Sequence, residues 1–331
     1  MARFRRTSPD QPGWSRRRAG KGFVYLDESG HRLADDDAQR CRKLVIPPAW
    51  EEVWICPHEN GHLQAVGTDA AGRRQYLYHP EWRARRDQEK FARLVDFGKA
   101  LPRARVRVLE DLTAEGMPLE RACATAVRLL DIGCFRIGSD TYAEDNGSFG
   151  LTTLERRHVR RQGNALHFRF TGKSGVEHSI EIDDPPSVAA LEVMRRRRGG
   201  EALLVCREGA RWCSLSPGDV NDYIRDVTGL GATAKDFRTW HGTVVAAAAL
   251  AESEEPGETR ASRKRAVAAA MREVAEFLGN TPALARSAYV DPRVVEAYEE
   301  GRTIATAAKR SHRTPEDRQA ALERAVLRLL R

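Results

Sequence analysis

Lysine is scarce in this 331-residue chain: of 55 basic residues only 8 are lysines, and the rest are arginines. A lysine in an unusual setting therefore stands out. The six cysteines, at 41, 56, 123, 134, 206 and 213, never form a Cys-x-x-Cys pair. That spacing argues against a zinc site and against a disulfide framework, and it fits reduced thiols in a cytosol. No run of about 18 apolar residues is present, and no charged-then-apolar leader opens the chain. The expectation is a cytoplasmic protein with no membrane partner and no metal. Acidic residues are outnumbered as well, leaving a formal net charge of +8. A modest excess of this kind suits phosphate-backbone binding, or it is the mark of an arginine-rich proteome.

The length suits two domains. Residues 1–20 carry Pro, Ser and Arg without periodicity and read as a flexible basic arm. From Gly22 short apolar runs are split by turn signals, as in GFVYLDESGHRL and KLVIPPAWEEVWICPHENGHLQAVGTDAAGRRQYLYHPEW. This predicts a small β-rich domain with one helical piece over residues 21–90. The charged stretch RARRDQEK marks the boundary. Residues 91–331 read as mainly helical, with PLERACATAVRLLDIG, SLSPGDVNDYIRDVTG, TVVAAAALAE and ASRKRAVAAAMREVAEFLG as helices. Leu166, Phe168 and Phe170 alternate, as do Val176, Ile180 and Ile182, so ALHFRFTGKSGVEHSIEI is a β-hairpin turning at Thr171–Gly175. The fold class is α+β.

FTGKSG ends like a P-loop, but His167 stands where that motif needs its first glycine, and a strand rather than a helix follows. Nucleotide binding is excluded, and no cofactor is expected. The hairpin instead puts Lys173 at a tip between glycines, either a solvated turn lysine or an ammonium aimed at a phosphate. Arg136 sits between Phe135 and Ile137 after a helix end, and Arg238 between Phe237 and Trp240 just before an Ala-rich helix. Each guanidinium offers a planar fork that matches two phosphate oxygens. Each could equally cap a helix or pair with Asp236 or Asp140. In LGNTPALARSAYVDP, Tyr289 follows Asn280 by nine positions and on its own reads as a core aromatic.

Taken in order, Arg136, Lys173, Arg238, Asn280 and Tyr289 change this reading. CFRIGSDTY, TGKSG, KDFRTW and LGNTP…SAYVDP resemble the active-site segments of the type IB DNA topoisomerases, specifically the small poxvirus-like form found in bacteria. VIPPAW and DAAGRRQYLYHPEWR resemble that family's N-terminal domain. The resemblance covers roughly residues 20–305. It implies a β-rich DNA-binding domain and a helical catalytic domain that clamp duplex DNA. It also implies a monomer of the bacterial nucleoid that needs neither ATP nor metal. Tyr289 would attack a phosphodiester, giving a 3′-phosphotyrosyl bond and a free 5′-hydroxyl that later reseals the strand, so that supercoils of either sign relax. Arg136 and Arg238 would neutralise the transition-state charge, Asn280 would add a hydrogen bond, and Lys173 would protonate the leaving 5′ oxygen. Asn280 departs from the family, which often has His there. His241 reads as a helix-start or core residue. Gln75, Tyr76 and Tyr78, with Arg73 and Arg74, would face the DNA. The rival readings are a tyrosine recombinase or integrase, which shares the constellation but pairs it with a helical partner domain, and a non-catalytic duplex-DNA-binding protein.

Overall fold

A computed structural model describes residues 3–138, 147–253 and 259–331. The chain divides into two compact units, residues 1–91 and 92–331.

The first unit is built on a five-stranded antiparallel sheet. Strands β1 (Trp14–Ala19), β2 (Gly22–Leu26), β3 (Glu51–Ile55), β4 (Leu63–Thr68) and β5 (Arg74–Tyr78) lie in the order β2-β1-β3-β4-β5. Helix α1 (Asp35–Lys43) follows β2, with three aspartates in its first turn and basic residues in its last, as the helix dipole favours. Val53, Ile55, Ala65, Tyr25 and Cys41 form the core, with Trp14, Phe23 and Trp50 packed against it. The expected flexible arm is corrected here. Its second half is β1, paired residue for residue with β2. The basic composition hid the strand because Arg16 faces inward. Its guanidinium lies 4.1 Å above the Phe23 ring and donates to the carbonyls of Ile46, Pro47 and Trp50. Phe4 packs on the rings of His79 and Trp82 at 5.0 and 5.7 Å.

Helix α2 (Pro80–Leu112) contains the charged stretch RARRDQEK within its first turns. From Ala92 onward it belongs to the second unit, where it is followed by α3 (Leu119–Gly133). A three-stranded antiparallel sheet comes next, of β6 (Val159–Gln162), β7 (Ala165–Thr171) and β8 (Glu177–Ile182) in that order. Helix α4 (Pro185–Arg196) leads to a two-stranded ribbon, β9 (Val205–Glu208) and β10 (Arg211–Ser214). The remaining helices are α5 (Pro217–Thr228), α6 (Ala234–Glu252), α7 (Arg260–Leu278), α8 (Pro282–Ala288), α9 (Pro292–Glu299), α10 (Ala305–Ala308) and α11 (Pro315–Leu329). None of the helices among the described residues is long and apolar enough to cross a membrane.

Local chemistry fixes these elements. Ser216 and Asp219 form a reciprocal cap at the start of α5, and Gly229 ends it in the left-handed region. At the start of α6 the Asp236 carboxylate accepts from both the N–H and the hydroxyl of Thr233. Trp240 of α6 is fully buried, and a Cβ at Gly98 of α2 would lie 2.4 Å from its ring. That glycine is therefore what lets the two helices close. A buried charge network joins the C-terminal helix to the rest of the unit. Arg105 of α2 donates to Asp131 of α3 at 2.7 and 2.9 Å and to Glu323 of α11 at 2.7 and 2.8 Å. His241 Nε2 lies 3.0 Å from the Asp131 carboxylate. His241 is thus a buried core residue inside α6. The C-terminal helix α11 buries Leu322, Glu323 and Val326 here.

Candidate active site

Three helix ends assemble the site. Helix α3 stops at Cys134, which adopts a left-handed conformation, φ 50° and ψ 31°. The turn sends Phe135 into the core, 5.0 Å from Phe168 and 5.9 Å from Phe170, and leaves Arg136 half-buried at the site. The following backbone is laced to residues 150–152: Leu151 N–H donates to the Arg136 carbonyl at 2.7 Å and Thr152 N–H to Ile137 at 2.9 Å. Asp140, considered as an arginine partner, lies outside the described residues.

Helix α7 ends at Gly279, φ 60°. The Asn280 N–H closes the last turn on the Ala275 carbonyl at 2.8 Å. This frees the carbonyls of Leu278 and Gly279, and both arginines converge on them. Arg238 donates from Nη2 to Leu278 at 2.6 Å and from Nη1 to the Cys134 carbonyl. Arg136 Nη2 donates to Gly279 at 2.8 Å and to Asn280 Oδ1 at 2.5 Å. Arg238 is 5% exposed and lies in the second turn of α6, not before it; the cap at Thr233 starts the helix earlier than the alanine run suggests.

Neither guanidinium has a carboxylate among the described residues. Asp236 is occupied by the α6 cap. Arg105 is the contrast, an arginine held between two carboxylates. Burial lowers the Arg136 pKa, the nearby Arg238 lowers it further, and Tyr289 opposes them. A charge buried without a counter-ion is costly; here neutral carbonyls at two helix C-termini hold it. A guanidinium carries five N–H donors, so each arginine keeps some directed elsewhere. Arg238 Nε and Asn280 Nδ2 are buried and find no partner among the described residues. With Asn280 Oδ1 taken by Arg136, its amide hydrogens are what remains to offer.

Tyr289 caps α8, its ring centroid 5.4 Å from the Arg238 guanidinium carbon. Its backbone is held by α6, one turn beyond Arg238. The Thr243 hydroxyl lies 3.3 Å from the Tyr289 carbonyl and accepts from Asp291 N–H at 3.1 Å. A Cβ at Gly242 would come within 2.8 Å of that carbonyl.

Lys173 opens the tight turn between β7 and β8, directly after Gly172. A residue absent from the sequence-derived set links this hairpin to the arginines. His178 of β8 has its Nε2 3.4 Å from Arg136 Nη1 and stacks on Phe170 at 5.1 Å. Burial lowers its pKa below 6.5, with Arg136 and Arg238 adding to the effect. The alternation that gave the hairpin carried the signal: His178 is in phase with the inward-facing Ile180 and Ile182.

Gln75, Tyr76, Tyr78, Arg73 and Arg74 lie in the first unit and form a cluster of their own. Tyr76 and Tyr78 are 49% and 43% exposed, stacked at 6.4 Å on one face of β5. Gln75 and Arg73 donate to Asp69 at 2.8 and 3.0 Å, while Arg74 is exposed.

A model of the eukaryotic DNA topoisomerase I catalytic core matches residues 79–315, and one of the bacterial DNA topoisomerase IB N-terminal domain matches residues 22–69. The DNA topoisomerase 1B of Acanthamoeba polyphaga mimivirus is 28% identical over 294 residues, covering 87% of this chain and 88% of its own. The DNA topoisomerase 1B of vaccinia virus (strain Western Reserve) is 22% identical over 254 residues, 76% of each chain. The DNA topoisomerase 1 of Schizosaccharomyces pombe is 27% identical over 143 residues, 43% of this chain and 17% of its own.

Proposed function

The chain belongs to the type IB DNA topoisomerases, and from that membership we propose that it relaxes positive and negative supercoils by transient cleavage of one strand of duplex DNA, using neither ATP nor a metal ion. Tyr289 is the nucleophile. Its phenol oxygen attacks a backbone phosphorus, the bond to the 5′ oxygen breaks, and a 3′-phosphotyrosyl bond forms. The phenol proton leaves to solvent, and Lys173 protonates the departing 5′ oxygen. One phosphodiester is exchanged for another, so the step stores its own energy for resealing. The 5′-hydroxyl then attacks back and returns the tyrosine.

Arg136 and Arg238 balance the charge that grows on the non-bridging oxygens, which is usually the largest electrostatic contribution to such a step. Asn280 donates to the same oxygens through Nδ2. In the first unit Tyr76 and Tyr78 meet the DNA, with Gln75 and Arg73 braced by Asp69 and Arg74 toward phosphates. One chain carries all five groups, which supports a monomer as the acting form. The match to a bacterial N-terminal domain supports a bacterial cytoplasm as its setting.

The observation that carries this reading is a pair of guanidiniums without carboxylate partners among the described residues, one of them 5.4 Å from the tyrosine ring. The test is relaxation of supercoiled plasmid in EDTA without ATP, comparing wild type with Tyr289→Phe. Wild type is expected to relax both signs and to leave a covalent adduct after detergent quench, and the variant to do neither. A Tyr289→Phe protein that still relaxes plasmid would rule the mechanism out.

A further inference from the structure

His178 lies where the hairpin, the end of α7 and Arg136 meet. Its ring sits between two glycines far apart in the chain. A Cβ at Gly172, the residue before Lys173, would lie 2.5 Å from His178 Cδ2, and a Cβ at Gly279, the residue before Asn280, 2.8 Å from Cε1. Its flat face rests on Phe170 at 5.1 Å and 22°, and Phe170 stacks in turn on Phe135, the neighbour of Arg136, at 5.9 Å and 13°. Its Nε2 faces Arg136 Nη1 at 3.4 Å. An arginine only donates. The imidazole nitrogen facing it must therefore accept, which assigns His178 the neutral form with its proton on Nδ1.

We propose that His178 is a positioning residue for strand transfer: it fixes the Arg136 fork by accepting its third hydrogen bond. This rests on the topoisomerase reading above. Arg136 is then held by three neutral acceptors, the Gly279 carbonyl, Asn280 Oδ1 and His178 Nε2. The fork is aligned before any phosphate arrives, without a carboxylate that would cancel its charge. Without the third acceptor the guanidinium can swing about its remaining bonds, and a misplacement of about 1 Å in a reacting group can cost about 10²-fold in rate.

The acceptor role and mere packing predict opposite orders for two substitutions. His178→Phe keeps the ring, its stack on Phe170 and its fit between the glycines, but has no acceptor. His178→Gln loses the ring but offers an amide oxygen to Arg136. In the full chain, with enzyme in excess over plasmid, we expect His178→Phe to slow relaxation and adduct formation by about 10- to 10²-fold. His178→Gln is expected to stay within about threefold of wild type, and duplex affinity to be unchanged in both. Gly172→Ala, whose methyl would displace the His178 ring from Arg136 while keeping the histidine itself, is expected to resemble His178→Phe. If His178→Phe matches wild type, or outperforms His178→Gln, the ring serves only as filling and the inference is wrong. If wild type itself forms no adduct, the topoisomerase reading fails and takes this inference with it.

Discussion

Arg136 and Asn280 are joined by a 2.5 Å hydrogen bond from the guanidinium to the amide oxygen, which turns the Asn280 amide nitrogen toward a buried space where it has no partner among the described residues. The asparagine is thus oriented by the arginine beside it. A neutral amide offers a phosphate two N–H donors while leaving the positive charge to the arginines.

Asn280→Ala should therefore slow single-turnover cleavage by about 10²-fold, the usual cost of one donor to a developing oxyanion. Asn280→Asp should be worse than alanine, since a carboxylate at that place pairs with Arg136 and repels the phosphate. Cleavage rates of the two variants under enzyme excess decide the order. Asp equal to or faster than Ala would mean that the position does not face the substrate.

Gly242→Ala puts a methyl carbon 2.8 Å from the Tyr289 carbonyl and 3.3 Å from its Cβ. The tyrosine must shift relative to Arg238, which sits one turn earlier on the same helix. Cleavage should fall by at least about tenfold, with duplex affinity retained. Gel-shift titration alongside the cleavage assay checks both.

The Asp131–Arg105–Glu323 network should carry stability rather than chemistry. Glu323→Gln or Asp131→Asn leaves an under-compensated buried arginine, a change that costs about 3–5 kcal/mol. For Asp131, burial pushes the carboxyl pKa up, but hydrogen bonds from His241 and Arg105 outweigh it and hold the carboxyl below its usual 3.8. Glu323 is likewise held below 4.5 against burial, by Arg105 and then Gln319. Depressed carboxylates contribute stability that is present above about pH 4.5 and lost as pH falls through their folded values. Urea unfolding of wild type should show a loss between pH 5 and pH 2 that shrinks in the Asp131→Asn variant.

His178 titrates with the opposite charge. Its folded pKa lies below 6.5 through burial and then the two arginines, Glu177 opposing them. The unfolded chain therefore takes up a proton first as pH falls below 6.5, and the native state loses stability until the folded imidazole titrates too. The groups facing the ring are Arg136 beyond α3, Arg238 on α6 and Glu177 on its own strand, with uncharged Phe170 and Asn280 nearby. His158, also lowered by burial, adds a parallel loss. Melting temperature should fall more steeply from pH 7 to pH 5 in wild type than in His178→Gln, and equal slopes would contradict the assignment.

The hairpin, α3 and the capped α5 were legible because each depends on local pattern, whereas the set of five site residues rested on the family resemblance. Alternation gave β7 and β8, and the Ser216–Asp219 spacing marked a helix start. What escaped was set by contacts across the fold. β1 was hidden because an inward-facing arginine, neutralised by a ring and three carbonyls, reads as polar. The true start of α6 was concealed by the weight given to its alanines over the Thr233–Asp236 cap. β6, β9 and β10 are four residues each, too short for a periodic signal. His178 acts through Gly172 and Gly279, which sequence alone cannot bring together.

The helix-end carbonyls that hold Arg136 and Arg238 do not remove the repulsion between them. An anion bridging both would. A substrate phosphate bound there, as proposed above, would relieve that repulsion and so also act as a folding ligand. On the proposed reading, DNA-bound molecules are therefore expected to resist heat and proteolysis better than free ones.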